Sequence, residues 1–255
     1  MRLATWNLNS IRARHDRLLA LLERHRPDVL CVQELKVDEA GFPWEAVRTA
    51  GYHACVHAQR TYNGVAILSR APAEDVRVGL GDAAEDPQAR LVSARIEGVR
   101  VLSAYFPNGE HPSSEKFAYK LSWMRRLREK LAREHRPDEP LALAGDFNVA
   151  PSDLDVRNAA KWAGSVLCHP EARAALVQLR DWGLIDSLRA LQPELAVYSW
   201  WDYQQLGFPK NDGLRIDHID VTAPLAARLV EIRVDRDERK GDKPSDHAPV
   251  IVELR

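Results

Sequence analysis

The feature that most constrains the fold is the alternation of strand-like and helix-like segments along the whole 255-residue chain. Short runs with strand character occur at residues 3–8, 28–34, 64–69, 91–96, 99–106, 141–145, 215–222, 228–234 and 248–254. Helical segments fit residues 10–26, 115–135, 170–182 and 184–191. No linker, low-complexity tract or short repeat divides the chain. The pattern predicts one α/β domain over residues 1–255, in which mixed sheets pack face to face with helices outside.

Local signals support individual elements of this prediction. Ser10 is a candidate N-cap for the first helix, and Pro27 ends that helix. The dipeptide Glu97-Gly98 separates two strand-like runs and indicates a hairpin. The clearest helix covers residues 115–135, because apolar side chains recur there at helical spacing. This stripe is formed by Phe117, Leu121, Met124, Leu127 and Leu131.

Composition restricts the class of protein. The chain has 36 basic and 37 acidic residues, so a nucleic-acid binder of this composition must concentrate its positive charge on one face. The cysteines Cys31, Cys55 and Cys168 are widely spaced without a Cys-x-x-Cys pair, which argues against a disulfide framework and a zinc site. The first residues lack the apolar stretch of a signal peptide, and no apolar run approaches the ~20 residues of a membrane span. We therefore expect a cytoplasmic protein that does not enter a membrane.

Polar side chains interrupt the ends of five strand-like runs, where a core would not tolerate them without a reason. They are Asn7, Asn9, Glu34, Asp146, Asn148, Asp217, Asp246 and His247. Asn and Asp at strand ends are commonly turn formers, and each residue alone fits that interpretation. Taken together, the carboxylates, the amides and the histidine match a hard-cation site with acid/base machinery.

Mg²⁺ is the ion that this set of residues favours. It prefers oxygen ligands and is often held by one or two carboxylates together with a substrate phosphate. The sequence has no Cys/His cluster that would favour zinc. It also lacks a Walker-type glycine-rich loop and a Gly-x-Ser-x-Gly elbow, which disfavours NTPases and serine hydrolases. The residues alone thus indicate a hard-cation site of a kind that suits Mg²⁺.

Eight segments carry a resemblance to a known family. They are TWNLNSIRA, DVLCVQELK, YNGVAILSR, AYFPNGE, LAGDFN, YSWWDY, GLRIDHI and KPSDHAP. In their order, and in covering nearly the entire chain, they resemble the exonuclease III branch of AP endonucleases within the endonuclease/exonuclease/phosphatase superfamily. The resemblance implies a four-layered α/β sandwich, with two mixed β-sheets packed face to face, helices outside and the site at one end of the sheets.

The same resemblance implies a function. It is that of a Mg²⁺-dependent DNA repair phosphodiesterase, with Mn²⁺ able to substitute, that hydrolyses the DNA backbone 5′ to abasic sites. We also expect 3′→5′ exonuclease and 3′-phosphatase activity at the same centre. The expected partner is double-stranded DNA with abasic sites or blocked 3′ ends, and the expected state is a monomer.

The resemblance also assigns the metal site and the general base. Glu34 resembles the principal metal ligand, with Asn7 beside it. Asp246 resembles a further acidic residue of the metal site. Asp146 resembles the residue that orients and deprotonates the attacking water. Physical chemistry supports such an arrangement, because phosphodiester hydrolysis needs charge neutralisation at phosphorus and a water held in line with the leaving oxygen.

The remaining catalytic assignments concern the phosphate. Asn148 and Tyr105 resemble groups that hydrogen-bond the scissile phosphate. His247 resembles the histidine that contacts a non-bridging oxygen, and Asp217 resembles its carboxylate partner. A neighbouring carboxylate raises the pKa of a histidine, so this pairing favours a charged His247.

Substrate recognition is also implied by position in the family. The residues that match contacts to DNA phosphates or grooves are Arg12, Arg17, Tyr62, Arg90 and Asn108. Trp200, Leu214 and Ile216 match an apolar pocket for a flipped-out sugar without a base, for which an aromatic wall is suited. The alternative is that Trp200 or its neighbour Trp201 only packs in the core.

Two positions depart from the family pattern, and two rival functions remain open. Asn9 stands where other members have a metal-ligating Asp, which weakens any second-metal site there. Leu35 stands where Thr is usual, and nothing in the sequence explains it. One rival is a phosphatase or phosphodiesterase of the same superfamily acting on small molecules or lipids. The other is a non-catalytic nucleic-acid-binding regulator on the same fold, although none of the catalytic residues is lost.

Overall fold

The computed structural model describes residues 1–84 and 86–255. Within these residues the strands are β1 (Arg2–Asn7), β2 (Val29–Gln33), β3 (His53–His57), β4 (Val65–Ser69), β5 (Glu74–Val78), β6 (Leu91–Ile96), β7 (Val99–Tyr105), β8 (Leu141–Asp146), β9 (Ile185–Asp186), β10 (Asp217–Val221), β11 (Leu229–Val234) and β12 (Val250–Leu254). The α-helices are α1 (His15–His25), α2 (Trp44–Thr49), α3 (Glu115–Glu134), α4 (Ala159–Trp162), α5 (Pro170–Arg180), α6 (Ser187–Leu191) and α7 (Ala223–Ala226). No helix in these ranges is both long and apolar enough to cross a membrane.

The strands form two six-stranded mixed sheets. The first has the order β11-β12-β1-β2-β4-β3, and the second has the order β5-β6-β7-β8-β10-β9. In each sheet one central pair is parallel, β1 with β2 and β7 with β8, and the other pairs are antiparallel. This confirms the predicted fold class.

The sheets pack face to face, and the helices cover their outer faces. The core between the sheets includes Leu3, Val29, Cys31 and Ile67 from the first sheet and Val92, Val101, Ala142 and Ile219 from the second. Helices α1 and α2 pack their apolar sides on the first sheet, and α3 and α5 pack theirs on the second. The four layers follow from burying both faces of each sheet.

Several local predictions were wrong. Helix α1 begins at His15 rather than after Ser10, because residues 11–14 form turns and Ser10 has a left-handed φ of 92°. Strands β3 and β5 and helix α2 were not predicted. Both strands lie at sheet edges, and every residue of β5 is exposed, so β5 carries no buried apolar pattern. The predicted helix over residues 184–191 begins as the short strand β9.

The two parallel strands of the second sheet approach most closely at Gly145. This residue of β8 pairs with Ala104 of β7. A Cβ atom added to Gly145 would lie 1.8 Å from the main-chain oxygen of Ala104. Glycine is therefore required at this position, directly before the polar end of the strand.

We predict that Gly145→Ala lowers the free energy of unfolding by at least about 3 kcal/mol, because the new methyl group meets main-chain atoms that cannot move away. Gly51→Ala is the matched control, since Gly51 also has a positive φ of 85° but faces open space. Its cost should be about 1 kcal/mol. Urea unfolding of both variants measures the difference, and equal costs would contradict the argument.

Candidate active site

The candidate site lies where polar residues leave the ends of central strands. Asn7 is the last residue of β1, Asp146 is the last residue of β8, and Asp217 is the first residue of β10. Asp146 pairs with Asp217 on one side and with Tyr105 of β7 on the other. Glu34 follows β2 with a left-handed φ of 53°. The strand register therefore gathers these side chains at one edge of the two sheets.

One amide group connects carboxylates that come from different sheets. Asn7 Nδ2 donates to Glu34 Oε1 at 2.8 Å and to Asp146 Oδ2 at 2.9 Å. The main-chain N–H of Asn9 donates to Asn7 Oδ1 at 2.9 Å, which fixes the orientation of the amide. Two carboxylates are thus held close together, an arrangement that a cation stabilises.

A buried ion pair lies next to Asp146. His247 Nδ1 is 2.8 Å from Asp217 Oδ2, and Ser199 Oγ donates to the same oxygen at 2.6 Å. The other ring nitrogen of His247, Nε2, is 3.7 Å from Asp146 Oδ2. Burial acts to lower the pKa of His247, but the two carboxylates outweigh it and raise the pKa to about 10. His247 is therefore a cation at neutral pH, and its Nε2–H is available to an anion.

Asp146 has the environment of a base. Burial raises the pKa of this carboxyl to about 7, against the opposing effect of His247, and the charges of Asp217 and Glu34 raise it further. The main-chain N–H of Asn148 donates to Asp146 Oδ1 at 2.9 Å and holds the carboxylate in place. A carboxylate of this basicity can accept a proton from water near neutral pH.

Two asparagines flank Asp146 on the loop side. Asn148 has a left-handed φ of 51°, and its Nδ2 donates to the main-chain oxygen of Phe106 at 3.0 Å. Its Oδ1 accepts a hydrogen bond from Asn108 Nδ2 at 3.0 Å. The amide of Asn148 is thereby oriented by residues that follow β7.

Tyr105 faces the same carboxylates. Burial raises the pKa of Tyr105 well above its usual value, and the charges of Glu34 and Asp146 add to this, so the phenol remains a hydrogen-bond donor. The guanidinium carbon of Arg90 lies 4.8 Å from the centre of the Tyr105 ring, and Arg90 itself is only 9% exposed. Arg90 therefore supports Tyr105 from behind, in a cation–π contact.

A chain of hydrogen bonds connects Glu34 to Trp200. Lys36 Nζ lies 2.7 Å from Glu34 Oε2 and donates to Asn9 Oδ1 at 2.6 Å. Asn9 Nδ2 donates to Asp246 Oδ1 at 3.0 Å, and Trp200 Nε1 donates to Asp246 Oδ2 at 2.9 Å. Lys36 thus places a positive charge between Glu34 and Asn9.

Three side chains offer ligand atoms close enough together for a metal ion. Oxygens of Glu34 and Asp146 and a ring nitrogen of His247 lie within 4.8 Å of one another. Because His247 is protonated, the oxygens are the donors that fit, and oxygen donors suit a hard cation. Asp246 lies outside this group, since Asn9 and Trp200 bind its oxygens, and its assignment as a metal ligand stays a prediction.

A second acidic cluster behind the site already has its cations. It consists of Asp186, His218 and Asp220. Arg215 NH2 donates to Asp186 Oδ2 at 2.7 Å, and Arg180 Nε donates to Asp220 Oδ2 at 2.7 Å. Burial and Arg215 lower the pKa of His218 to about 3, so its ring is neutral. The two arginines already balance the negative charges of Asp186 and Asp220, so these ion pairs hold β10 in place and do not require a metal ion.

A groove with aromatic walls lies beside the site. It has a volume of about 520 Å³, and Trp162 and Trp200 contact each other edge to face in its wall, with ring centres 5.5 Å apart. Leu214 and Ile216 are buried in the adjoining core and do not line this groove. Trp201 is completely buried, so the core interpretation holds for this one of the two neighbouring tryptophans.

The residues assigned to DNA contacts have different surroundings. Arg12, Tyr62 and Asn108 are exposed, Tyr62 to 78%. Arg17 donates to the main-chain oxygens of Asp242 and Glu238, so its guanidinium holds the loop before β12. The DNA-binding roles of these residues and of Arg90 stay predictions.

Comparison with known proteins decides the family. The model of the Endonuclease/Exonuclease/phosphatase family matches residues 4–247. The chain belongs to this family. It is 39% identical over 267 aligned positions to exodeoxyribonuclease III of Haemophilus influenzae, with 100% of both chains covered.

Solved structures of family members agree with this result. The 3′ phosphatase NExo from Neisseria, bound to a product DNA hairpin, is 43% identical, with a TM-score of 0.96 and coverage of 100% of this chain and 99% of that chain. An AP endonuclease from Archaeoglobus fulgidus is 37% identical, with the same TM-score of 0.96 and coverage of 100% and 99%. The protein is therefore a hydrolase of the exodeoxyribonuclease III and AP endonuclease type, a DNA repair nuclease.

The sequence did not reveal several residues that hold the candidate site in place. Lys36 and Ser199 stand inside the segments DVLCVQELK and YSWWDY, directly beside residues that were assigned roles. Their polar character next to a buried strand end was the available signal. Arg215 gave no such signal, because its partners lie far from it in the sequence.

We predict that Asp217→Asn lowers the pKa of His247, because the variant removes the carboxylate that opposes the effect of burial. In the wild type the imidazole of His247 should not titrate between pH 5 and 8, whereas in the variant it should lose its proton as the pH rises through that range. NMR titration of the metal-free protein measures this, with the resonance assigned from a His247→Gln sample. Asp138→Asn at an exposed ion pair is the control. A titration curve that Asp217→Asn leaves unchanged would refute the pairing.

Proposed function

We propose that the protein is a Mg²⁺-dependent phosphodiesterase that cuts double-stranded DNA 5′ to abasic sites and removes blocking groups from 3′ ends. The observation that carries this proposal is the joint placement of Glu34, Asp146 and a cationic His247 beside a groove walled by Trp162 and Trp200.

The metal would be held by oxygens of Glu34, with Asn7 orienting that carboxylate and Asp146 nearby. Bound there, Mg²⁺ supplies a positive charge for the phosphoryl oxygens, and Mn²⁺ has the same preference for oxygen donors. The donor set agrees with this, since carboxylate oxygens of Glu34 and Asp146 converge and the one histidine nitrogen in reach is protonated.

The chain's own residues account for the proton transfer and for binding of the phosphate. Asp146 accepts the proton of the attacking water, whose oxygen bonds to phosphorus as the bond from phosphorus to O3′ breaks. His247 Nε2–H donates to a phosphoryl oxygen as negative charge develops there, and the Asn148 amide does the same once it exchanges its 3.3 Å bond to Asp146 Oδ2 for the substrate. The Tyr105 hydroxyl is a further donor on the same side. The leaving O3′ takes up a proton and leaves a 3′-hydroxyl end.

One centre can serve several substrates because each presents the same group. The phosphate that is cut is always an ester of a 3′ oxygen. For an abasic site or a 3′-terminal nucleotide this oxygen belongs to the preceding sugar, and for a 3′-phosphate it belongs to the terminal sugar. The aromatic groove would favour a sugar that lacks its base, since an intact base needs additional space. The net charge of the chain is only −1, so binding to the DNA phosphates depends on local basic groups such as the exposed Arg12.

The decisive experiment uses two DNA substrates and one metal. We predict that the protein cleaves a duplex with a single tetrahydrofuran abasic analogue, and removes a 3′-phosphate from a hairpin, in the presence of Mg²⁺ and not in excess EDTA. Glu34→Ala should raise the Mg²⁺ concentration needed for half-maximal rate, whereas Asp146→Asn should abolish the rate and leave DNA binding in place. Full cleavage in EDTA would refute metal dependence. If the protein hydrolyses inositol phosphates but neither of the two DNA substrates, the result would support the rival small-molecule function.

We predict that Trp200→Ala lowers cleavage at the abasic analogue about tenfold or more, because an aromatic contact of this kind contributes about 1–3 kcal/mol. The variant also removes the hydrogen bond to Asp246, so Trp200→Phe is the matched control that keeps the ring and loses only the Nε1 donor. The phenylalanine variant should keep most of the activity and selectivity that the alanine variant loses. If alanine and phenylalanine reduce the rate equally, the hydrogen bond matters and the aromatic wall does not.

A further inference from the structure

Lys120 is a charged residue in the apolar stripe of α3. The side chain is fully buried, on the helix face that also carries Phe117, Met124 and Leu127. A charged side chain in such a position requires strong compensating contacts, because transfer of an ammonium group from water is costly. Burial lowers the pKa of Lys120 to about 7, while the charge of Asp146 acts in the opposite direction.

The ammonium group of Lys120 binds three main-chain oxygens. Nζ donates to Asn148 O at 2.6 Å, to Val166 O at 2.8 Å and to Asn108 O at 3.1 Å. A lysine ammonium has three protons, so each proton has one acceptor. The three oxygens belong to three separate loops, which follow β7, follow β8 and precede α5.

Each of these loops contributes to the candidate site. Asn148 lies beside Asp146 and carries a left-handed φ of 51°. Asn108 donates its side-chain amide to Asn148 Oδ1. Val166 lines the groove that Trp162 and Trp200 wall. Lys120 therefore lies at the point where the loops of the phosphate site and of the groove meet.

Lys130 of the same helix shows what an ordinary buried lysine does. It is also nearly fully buried, but its Nζ donates to Glu134 Oε2 at 2.8 Å in an ion pair. Among residues 1–84 and 86–255 no carboxylate forms an ion pair with Lys120. Its charge is thus compensated by main-chain dipoles and by the electrostatic influence of Asp146 rather than by a contact partner.

We propose that Lys120 is a positioning residue for phosphate hydrolysis, which holds Asn148 in its left-handed conformation and fixes the loops of Asn108 and Val166 around the scissile phosphate. The proposal rests on the proposed function, because it takes Asn148 as a donor to the phosphate. A non-glycine residue in the left-handed region is strained, and the bond to its carbonyl oxygen stabilises that conformation. Loss of this bond lets the Asn148 amide turn away from the substrate.

The test compares Lys120→Met with Lys130→Met on the 3′-phosphate hairpin, using the full chain and saturating Mg²⁺. Methionine has a similar length and removes the charge and the donors in both variants. Lys120→Met should lower kcat about 100-fold, as expected for a misplaced catalytic group, with KM within about threefold of the wild type. Lys130→Met should lower the midpoint of urea unfolding and keep kcat within about threefold. A matching kcat for the two variants overturns the proposal.

A double-mutant cycle separates positioning from general damage to the fold. If Lys120 acts through Asn148, Lys120→Met should lower kcat by no more than about threefold when Asn148 is already replaced by alanine. Independent, multiplicative losses would overturn the proposal. Should Lys120→Met fail to fold, Lys120→Arg takes its place in the cycle, with the same criterion. This variant keeps the charge and is expected to restore part of the kcat that methionine loses.

The same assay distinguishes this inference from the proposed function. A wild type that hydrolyses neither the hairpin nor the abasic duplex overturns both. A wild type that is active, with Lys120→Met equal to Lys130→Met, overturns the inference and leaves the proposed function standing.

Discussion

The interaction on which the site depends is the amide of Asn7, which bonds carboxylates from both sheets at once. Glu34 belongs to the first sheet and Asp146 to the second, so the distance between the two acids is set by how the sheets pack. The apolar core between the sheets fixes that packing, and the register of β8 with β7 and β10 brings Tyr105 and Asp217 to the same level. The relative positions of the two acids are therefore determined by the packing of the sheets and not by any single loop.

Much of this arrangement could be predicted from the sequence. Buried, largely apolar runs that lead to Asn7, Glu34 and Asp146 end at the candidate site, whereas the two-residue strand β9 ends in Asp186 of the second cluster. The exposed edge strand β5 has no such pattern, and Ser10 lost its predicted capping role to a turn that only the tertiary structure defines. The structure brings Asn7, Glu34, Asp146, Asp217 and His247 together, and their catalytic roles stay predictions.

What could not be predicted involves partners that are distant in sequence. The sequence analysis did not single out Lys120, because its three acceptors are main-chain oxygens that no residue pattern encodes. The contact of Arg90 with Tyr105 likewise depends on the hairpin of β6 and β7 rather than on residue type. Leu214 and Ile216 were assigned to the pocket by position in a motif, and both are buried in the structure, so that assignment stays a prediction.

The order in which the site residues occur along the chain has a consequence for protein synthesis. Asn7 comes early, His247 comes late, and β1 is paired with β12, so the first sheet is incomplete until almost the whole chain has been made. A nascent chain on the ribosome lacks the cation that faces Asp146 and the strand that closes the sheet next to Asn7. The centre described above therefore exists only in a chain that contains both Asn7 and His247 and in which β12 has paired with β1.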